Sequence, residues 1–387
     1  MRQILENPLQ IREQIPESLF IECVDSLGNI RLNKVRDRFG SIDRTTIMDL
    51  AAIFKKWKNA DECLMLRKTD LRTGESKIIG VKASKRGNDV CSQRQNKKIS
   101  FLKTISRDVE FFTQEDAEKG IAKANVLWVT LTCNSNLGSM DEAWRNLSPD
   151  SRLFLGSLEK RFGKINYFYT PEVYPNQDGS AFGYPHIHMI LVFLEYKFTP
   201  FPWIVEKDGK LEFSYRIKEI QEFKEAGSWH SFVDVKAIRN ANGLYSYCRK
   251  HVENTLQGDS DQAALNNAVM WFYRKKSYCM NQNFRNYWLD WITNLQVFCK
   301  KTKQIDFSGN VVPDFSWEFL GVGSMNRVGM DPGSWTAELD PGKVQDELMR
   351  KGTLFVRSND GSNGADCVVR EISQIILNHR EDLINEC

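Results

Sequence analysis

No apolar run in this chain approaches the roughly 18 to 20 residues of a membrane-spanning helix, so no membrane partner is expected. The first residues carry no apolar signal-peptide core. Nine cysteines are scattered at 23, 63, 91, 133, 248, 279, 299, 367 and 387, and none forms a Cys-x-x-Cys pair. That excludes zinc-knuckle spacing. An odd count without a secretory start points to reduced thiols and a cytoplasmic setting. No GxxxxGK[ST] stretch occurs, so a P-loop motor is not supported. There is no internal repeat and no low-complexity tract. Net charge is only +3, so bulk charge selects no class of partner. Histidine is scarce, at five in 387 residues.

What is present describes an ordinary globular protein, 41% hydrophobic and 27% charged and long enough for two or three domains. Charge is distributed unevenly. Between Lys82 and Lys103 seven Lys or Arg face one acid, Asp89. Between Arg249 and Lys303 nine face four. Such clusters are either a polyanion footprint or a solvated face. "SKRGND" (84–89), with Lys85 and Arg86, and "YRKKSY" (273–278), with Arg274, Lys275 and Lys276 between two tyrosines, are the candidate polyanion contacts. Cations beside aromatic rings suit single strands, whose bases stack while phosphates pair.

Hydrophobic periodicity places the elements. "TTIMDLAAIFKKW" has helical spacing after a threonine cap signal, and "KIIGVKASKRGNDV" reads as a strand entering a basic turn. "NVLWVTLTCN" (125–134), "INYFYTPEVYP" (165–175), "PHIHMILVFLEY" (185–196) and "SFVDVKAI" (231–238) read as strands. Helices are expected over 141–163, interrupted near Ser148-Pro149, and over 216–227 and 242–256. Asp208-Gly209 signals a hairpin. The order β-α-β-β-α-β, then α, is that of a split βαβ, ferredoxin-like α+β fold with antiparallel strands. Beyond about residue 305 the chain turns rich in Gly, Ser and Pro, and closes on an amphipathic helical pattern with no legible chemistry.

Two of the five histidines sit one residue apart in "YPHIHMILVF". Alternate side chains of a strand share a face, so His186 and His188 point together and Ile187 points away. They could bind one divalent ion, or be hydrogen-bonded core or surface histidines. A third ligand is needed, and a return of the chain over 175–184 would lay Glu172 beside them. Glu172 could equally be a solvent-facing strand residue. "YCRK" (247–250) puts Tyr247 and Lys250 on one helix face. A cation and a polarised electrophile would both help a phenol act as nucleophile, whereas a packing tyrosine is the plain alternative. Tyr245 points about 200° away from Tyr247 on a helix, so both cannot face one site.

"WVTLTCN" (128–134), "PHIHMILVF" (185–193) and "YCRKH" (247–251) resemble the three ordered motifs of the HUH endonucleases. The closest resemblance is to rolling-circle replication initiators of plasmids and viruses, of the one-tyrosine type. His251 stands where a second aromatic is frequent. The resemblance spans about residues 120–290. It implies an HUH nuclease domain over 116–305 and does not cover the N-terminal region, 1–115, for which "SKRGND" suggests a DNA-binding role, or the C-terminal extension, 306–387.

The resemblance implies nicking of single-stranded origin DNA, with Lys85, Arg86, Arg274, Lys275 and Lys276 as DNA contacts. His186, His188 and Glu172 would hold Mg²⁺ or Mn²⁺, Tyr247 would attack the phosphate, and Lys250 would steady it. Host helicase and DNA polymerase are the partners implied. Thr130 and Thr132, on one face of the first-motif strand with Trp128, are expected to be structural. A transposase or mobilisation relaxase would use the same chemistry. Relaxases usually show three metal histidines where this chain shows two, and small transposases are usually shorter. A non-catalytic DNA-binding protein on the same scaffold is the alternative of a different class. So is an RNA-binding domain of ferredoxin-like fold that matches the motifs by chance.

Overall fold

The structure, a computed structural model, describes residues 11, 14–25, 29–99, 108–177, 179–207, 210–246, 260–286 and 315–351. The fold is mixed, with antiparallel sheets and helices. The chain divides into two compact units, Met1–Trp57 with Arg86–Trp291, and Lys58–Lys85 with Ile292–Cys387. These units interleave along the chain. They cut it differently from the consecutive regions 1–115, 116–305 and 306–387 read from the sequence.

In the first unit the N-terminal helices are α1 (Glu17–Glu22), α2 (Leu32–Phe39) and α3 (Ile47–Lys58). After them come α4 (Asp89–Ile99) and α5 (Gln114–Glu118). The sheet elements follow as β3 (Val126–Thr132), α6 (Met140–Phe162), β4 (Ile165–Val173), β5 (Pro185–Phe193), the hairpin β6 (Pro200–Lys207) and β7 (Lys210–Ile217), α7 (Ile220–Gly227) and β8 (Val233–Ala237). Then come α8 (Asp261–Phe272) and the short β9 (Cys279–Met280). The sheet order is β8-β3-β5-β4-β9, with every pairing antiparallel. β3 and β4, joined through α6, therefore run parallel with β5 between them, which is a split βαβ unit.

One face of this sheet is the core. Leu127, Val129 and Leu131 of β3 and Ile187, Met189, Leu191 and Phe193 of β5 are buried in one cluster with α3, α6, α7 and α8. α6 supplies Trp144, Leu147, Phe154, Leu155, Leu158 and Phe162 at spacings of three, four and seven, the apolar stripe of a core-facing helix. It starts at Ser139, whose side chain accepts from the Glu142 N–H while Glu142 returns to the Ser139 N–H in a capping box. It stops at Gly163, at φ 82. The interruption expected at Ser148-Pro149 does not occur, because Pro149 lies inside a continuous helix. An interior proline withholds the N–H owed to the carbonyl four residues back, here Arg145, at a cost of about 3 kcal/mol. Lys275 Nζ donates to that carbonyl at 3.0 Å. The contact is exposed, so it offsets only part of that cost, on the order of 0.5–1.5 kcal/mol. With the buried stripe on either side, this is enough to carry the helix through.

The second unit builds a four-stranded sheet, β10-β1-β2-β11, from β1 (Cys63–Asp70), β2 (Ser76–Lys82), β10 (Phe315–Gly323) and β11 (Thr336–Glu338), followed by α9 (Pro341–Arg350). β1 pairs with β10 from Cys63↔Gly323 to Asp70↔Phe315, with a register shift between Met65 and Leu66. Cys63, Met65, Leu320, Met325, Val328, Met330, Leu339 and Val344 form its core. The Gly/Ser/Pro-rich region after residue 305 thus holds two strands and a helix of this unit. The closing helical pattern near the C-terminus lies outside the described residues.

Candidate active site

The site is built on the face of the five-stranded sheet opposite the core. Alternation puts Trp128, Thr130 and Thr132 of β3, His186 and His188 of β5, and Thr170 and Glu172 of β4 on that face. Register then aligns them in rows. Thr132 and Glu172 both pair with His186, while Thr130 and Thr170 both pair with His188. β8 adds Asp234, opposite Thr130. Its charge is met by Arg216 of β7, in a short ion pair, and by Lys236 Nζ at 3.8 Å.

Both imidazoles are held at Nδ1. Thr130 Oγ1 lies 3.2 Å from His188 Nδ1, and Thr132 Oγ1 lies 3.1 Å from His186 Nδ1. Trp128 stacks on His188 at 5.3 Å between centroids with 21° between planes, and Tyr174 tilts against His186 at 5.8 Å. The two imidazole rings are edge to face at 4.5 Å. His188 Nε2 lies 3.6 Å from Glu172 Oε2, beyond hydrogen-bond reach. His188 is only 9% exposed, so its ring sits in a confined environment. Asn266 Oδ1 of α8 accepts from the Val173 N–H at 2.8 Å and anchors the end of β4 next to Glu172.

Among the described residues no group of three His, Cys, Asp or Glu side chains is arranged to hold a metal ion. What is assembled fits a divalent ion in kind. Two imidazoles and a carboxylate share one face, and each imidazole is backed at Nδ1 by a polar partner, as metal-bound histidines are. The three side chains are neighbours without being closed into one three-ligand group.

Tyr247 and Lys250 lie outside the described residues. The helical stretch that leads to them, 241–246, begins after Asn240, whose side chain accepts from the Gly243 N–H at 2.8 Å. Tyr245, on that stretch, is half-buried.

The basic residues singled out from the sequence divide into three kinds. Lys85 is 6% exposed, ion-paired to Glu62 at 2.9 Å and donating to the Ala60 carbonyl. Arg86 and the 273–278 stretch are brought together, since Arg86 donates to Ser277 Oγ at 2.7 Å and to the Lys275 carbonyl at 2.6 Å. Lys275 Nζ is turned onto the Arg145 carbonyl, and burial, first of all, lowers its pKa. Arg274 and Lys276 are exposed.

The stretch itself is the C-terminal cap of α8. Lys275 N–H bonds to the Met270 carbonyl and Arg274 N–H to that of Trp271, with Arg274 at φ 53. That is a Schellman motif with arginine in the left-handed position that glycine usually takes. Tyr278 is buried and stacks on Phe168, and Tyr273 stacks on Trp144 while its hydroxyl donates to Asp141. These two rings pack inside the protein.

Sequence reasoning placed Thr130 and Thr132 as strand residues and missed their contact with the imidazoles. The signal was present: a Thr-x-Thr with the same period of two as the His-x-His. Only the strand pairing shows that the two rows meet. No family model matches this chain, and no curated protein or solved structure matches it either. No helix among the described residues is long and apolar enough to cross a membrane.

Proposed function

We propose that the chain is a rolling-circle replication initiator of the HUH endonuclease type, which nicks and rejoins single-stranded origin DNA. The observation that carries this reading is the His-x-His on the central strand, flanked in register by Thr-x-Thr on β3 and by Thr170 and Glu172 on β4. The strand order β8-β3-β5-β4 supports a ferredoxin-like core, with α6 and α7 in its two helical connections.

In this reading His186, His188 and Glu172 hold Mg²⁺ or Mn²⁺. A divalent ion held there would supply charge stabilisation at the oxygens of the scissile phosphate. Tyr247 is the nucleophile. Its phenol oxygen gives up its proton and bonds to phosphorus, the bond from phosphorus to the 3′ oxygen breaks, and that oxygen takes up a proton in turn, so none is gained or lost overall. The products are a 5′-phosphotyrosyl link and a free 3′-OH. The link conserves the phosphodiester bond energy, so rejoining needs no ATP. Lys250 steadies the phosphate. The 3′-OH primes a host polymerase, with a host helicase opening the duplex.

The test is incubation with labelled single-stranded DNA from the cognate replicon, in Mn²⁺ or in EDTA. The expected result is a protein–DNA adduct resistant to boiling in detergent, dependent on metal and lost in Tyr247→Phe but kept in Tyr245→Phe. Tight binding without an adduct under any metal would leave a non-catalytic DNA-binding protein.

A further inference from the structure

We propose that Thr130 and Thr132 are positioning residues, each accepting a hydrogen bond from Nδ1–H of its own histidine and so presenting Nε2 of both His188 and His186 as ligand atoms. This deepens the proposed function and rests on its metal-binding face. A neutral imidazole has one donor and one acceptor nitrogen. When Nε2 carries a cation, the proton sits on Nδ1 and needs an acceptor, because a buried N–H left unmade is costly. The threonine hydroxyls stand at that position for both rings, at 3.2 and 3.1 Å. They do so because β3 and β5 share register over Thr130↔His188 and Thr132↔His186. Trp128, two residues before Thr130, stacks on the His188 ring and fixes its plane. The first-motif strand thus orients the second motif. A hydroxyl can also turn its own proton towards a bare Nδ1, so the same partner serves the ring before and after the ion arrives.

The experiment uses the full chain without DNA, labelled with ¹⁵N histidine. Five histidines give few enough signals to assign. Thr130→Val and Thr132→Val remove the hydroxyl at nearly constant volume, and Thr→Ser at each position restores it. Two readouts are taken, the long-range ¹H–¹⁵N pattern of each imidazole and the Mn²⁺ affinity by calorimetry. Thr130→Val is expected to move the Nδ1 resonance of His188 and leave His186 in place, and Thr132→Val the reverse. Each valine variant should bind Mn²⁺ roughly tenfold more weakly, the usual loss for a removed outer partner, and each serine variant should recover. Unchanged Nδ1 resonances in both valine variants would overturn the proposal, as would serine variants that lose as much affinity as valine. A wild-type protein that binds no Mn²⁺ but shows threonine-dependent Nδ1 resonances would sink the metal reading and leave the positioning role standing.

Discussion

Glu172 is the register partner of His186, yet its carboxylate reaches towards His188, 3.6 Å from Nε2. The side chain leans along the strand by one pleat, which brings it between the two rows of the polar face. This diagonal brings the Glu172 carboxylate beside the His-x-His.

Glu172→Gln keeps the shape and removes the charge. If the carboxylate belongs to the ligand set, Mn²⁺ affinity should fall by at least about tenfold, with the fold retained. Calorimetric titration of the DNA-free protein measures this, with circular dichroism as the control for folding. Wild-type affinity in Glu172→Gln would remove Glu172 from the site.

Lys275 and Pro149 act as a pair although 126 positions separate them in sequence. Lys275→Met should cost about 0.5–1.5 kcal/mol by removing the donor to the exposed Arg145 carbonyl. In a Pro149→Ala background the helix supplies its own N–H, so the same change should cost much less. A double-mutant cycle by urea denaturation gives the coupling. A coupling near zero would mean that Lys275 is free to serve another role, such as a DNA contact.

Asp43 caps the start of α3. Its Oδ1 accepts from the N–H groups of Thr45 and Thr46, both at 2.9 Å. The Thr45 and Thr46 hydrogen bonds hold its pKa at about 2, against a usual value of 3.8. A depressed carboxylate stabilises the fold above its unfolded pKa and loses that effect as pH falls through the folded one. The stability difference between wild type and Asp43→Ala should be about 1 kcal/mol near neutral pH, the typical worth of an N-cap. It should shrink between about pH 4 and pH 2. A difference that stays flat across that window would show that ionised Asp43 contributes nothing.

Three cysteines should be inert to alkylation. Burial, as the leading cause, pushes Cys23 and Cys63 up to about 11 and Cys133 up to about 12. At pH 8 their thiolate fraction is about a thousandth or less, and the thiolate is the reactive form. Iodoacetamide followed by peptide mass spectrometry should leave all three unmodified in native protein and modify them in urea. Rapid native labelling of Cys133, which neighbours Thr132, would show that β3 opens.

Much of the first unit was legible because its signals are local. β-branched alternation marked β3, β4, β5 and β8, and the helical stripe of α6 ended at Gly163 as its glycine suggested. The His-x-His and its shared face followed from the period of a strand alone. The surroundings of the basic clusters were not legible, because cations read alike whether they face solvent or a backbone carbonyl. Lys85 is buried and Lys275 half-buried, each donating to a backbone carbonyl, and nothing in their sequence neighbourhood says so.

What the sequence by itself determined was therefore the set of elements and which side chains share a face, since backbone periodicity needs no partner. What only the tertiary structure decided was who sits opposite whom. The meeting of Thr130 with His188 and Thr132 with His186, the lean of Glu172, the contact of Lys275 with the Arg145 carbonyl on the helix that runs through Pro149, and the pairing of Cys63–Asp70 with Phe315–Gly323 all depend on strand register and long-range packing. Register is set by the burial of a whole face at once, a cooperative choice that no single stretch of chain carries.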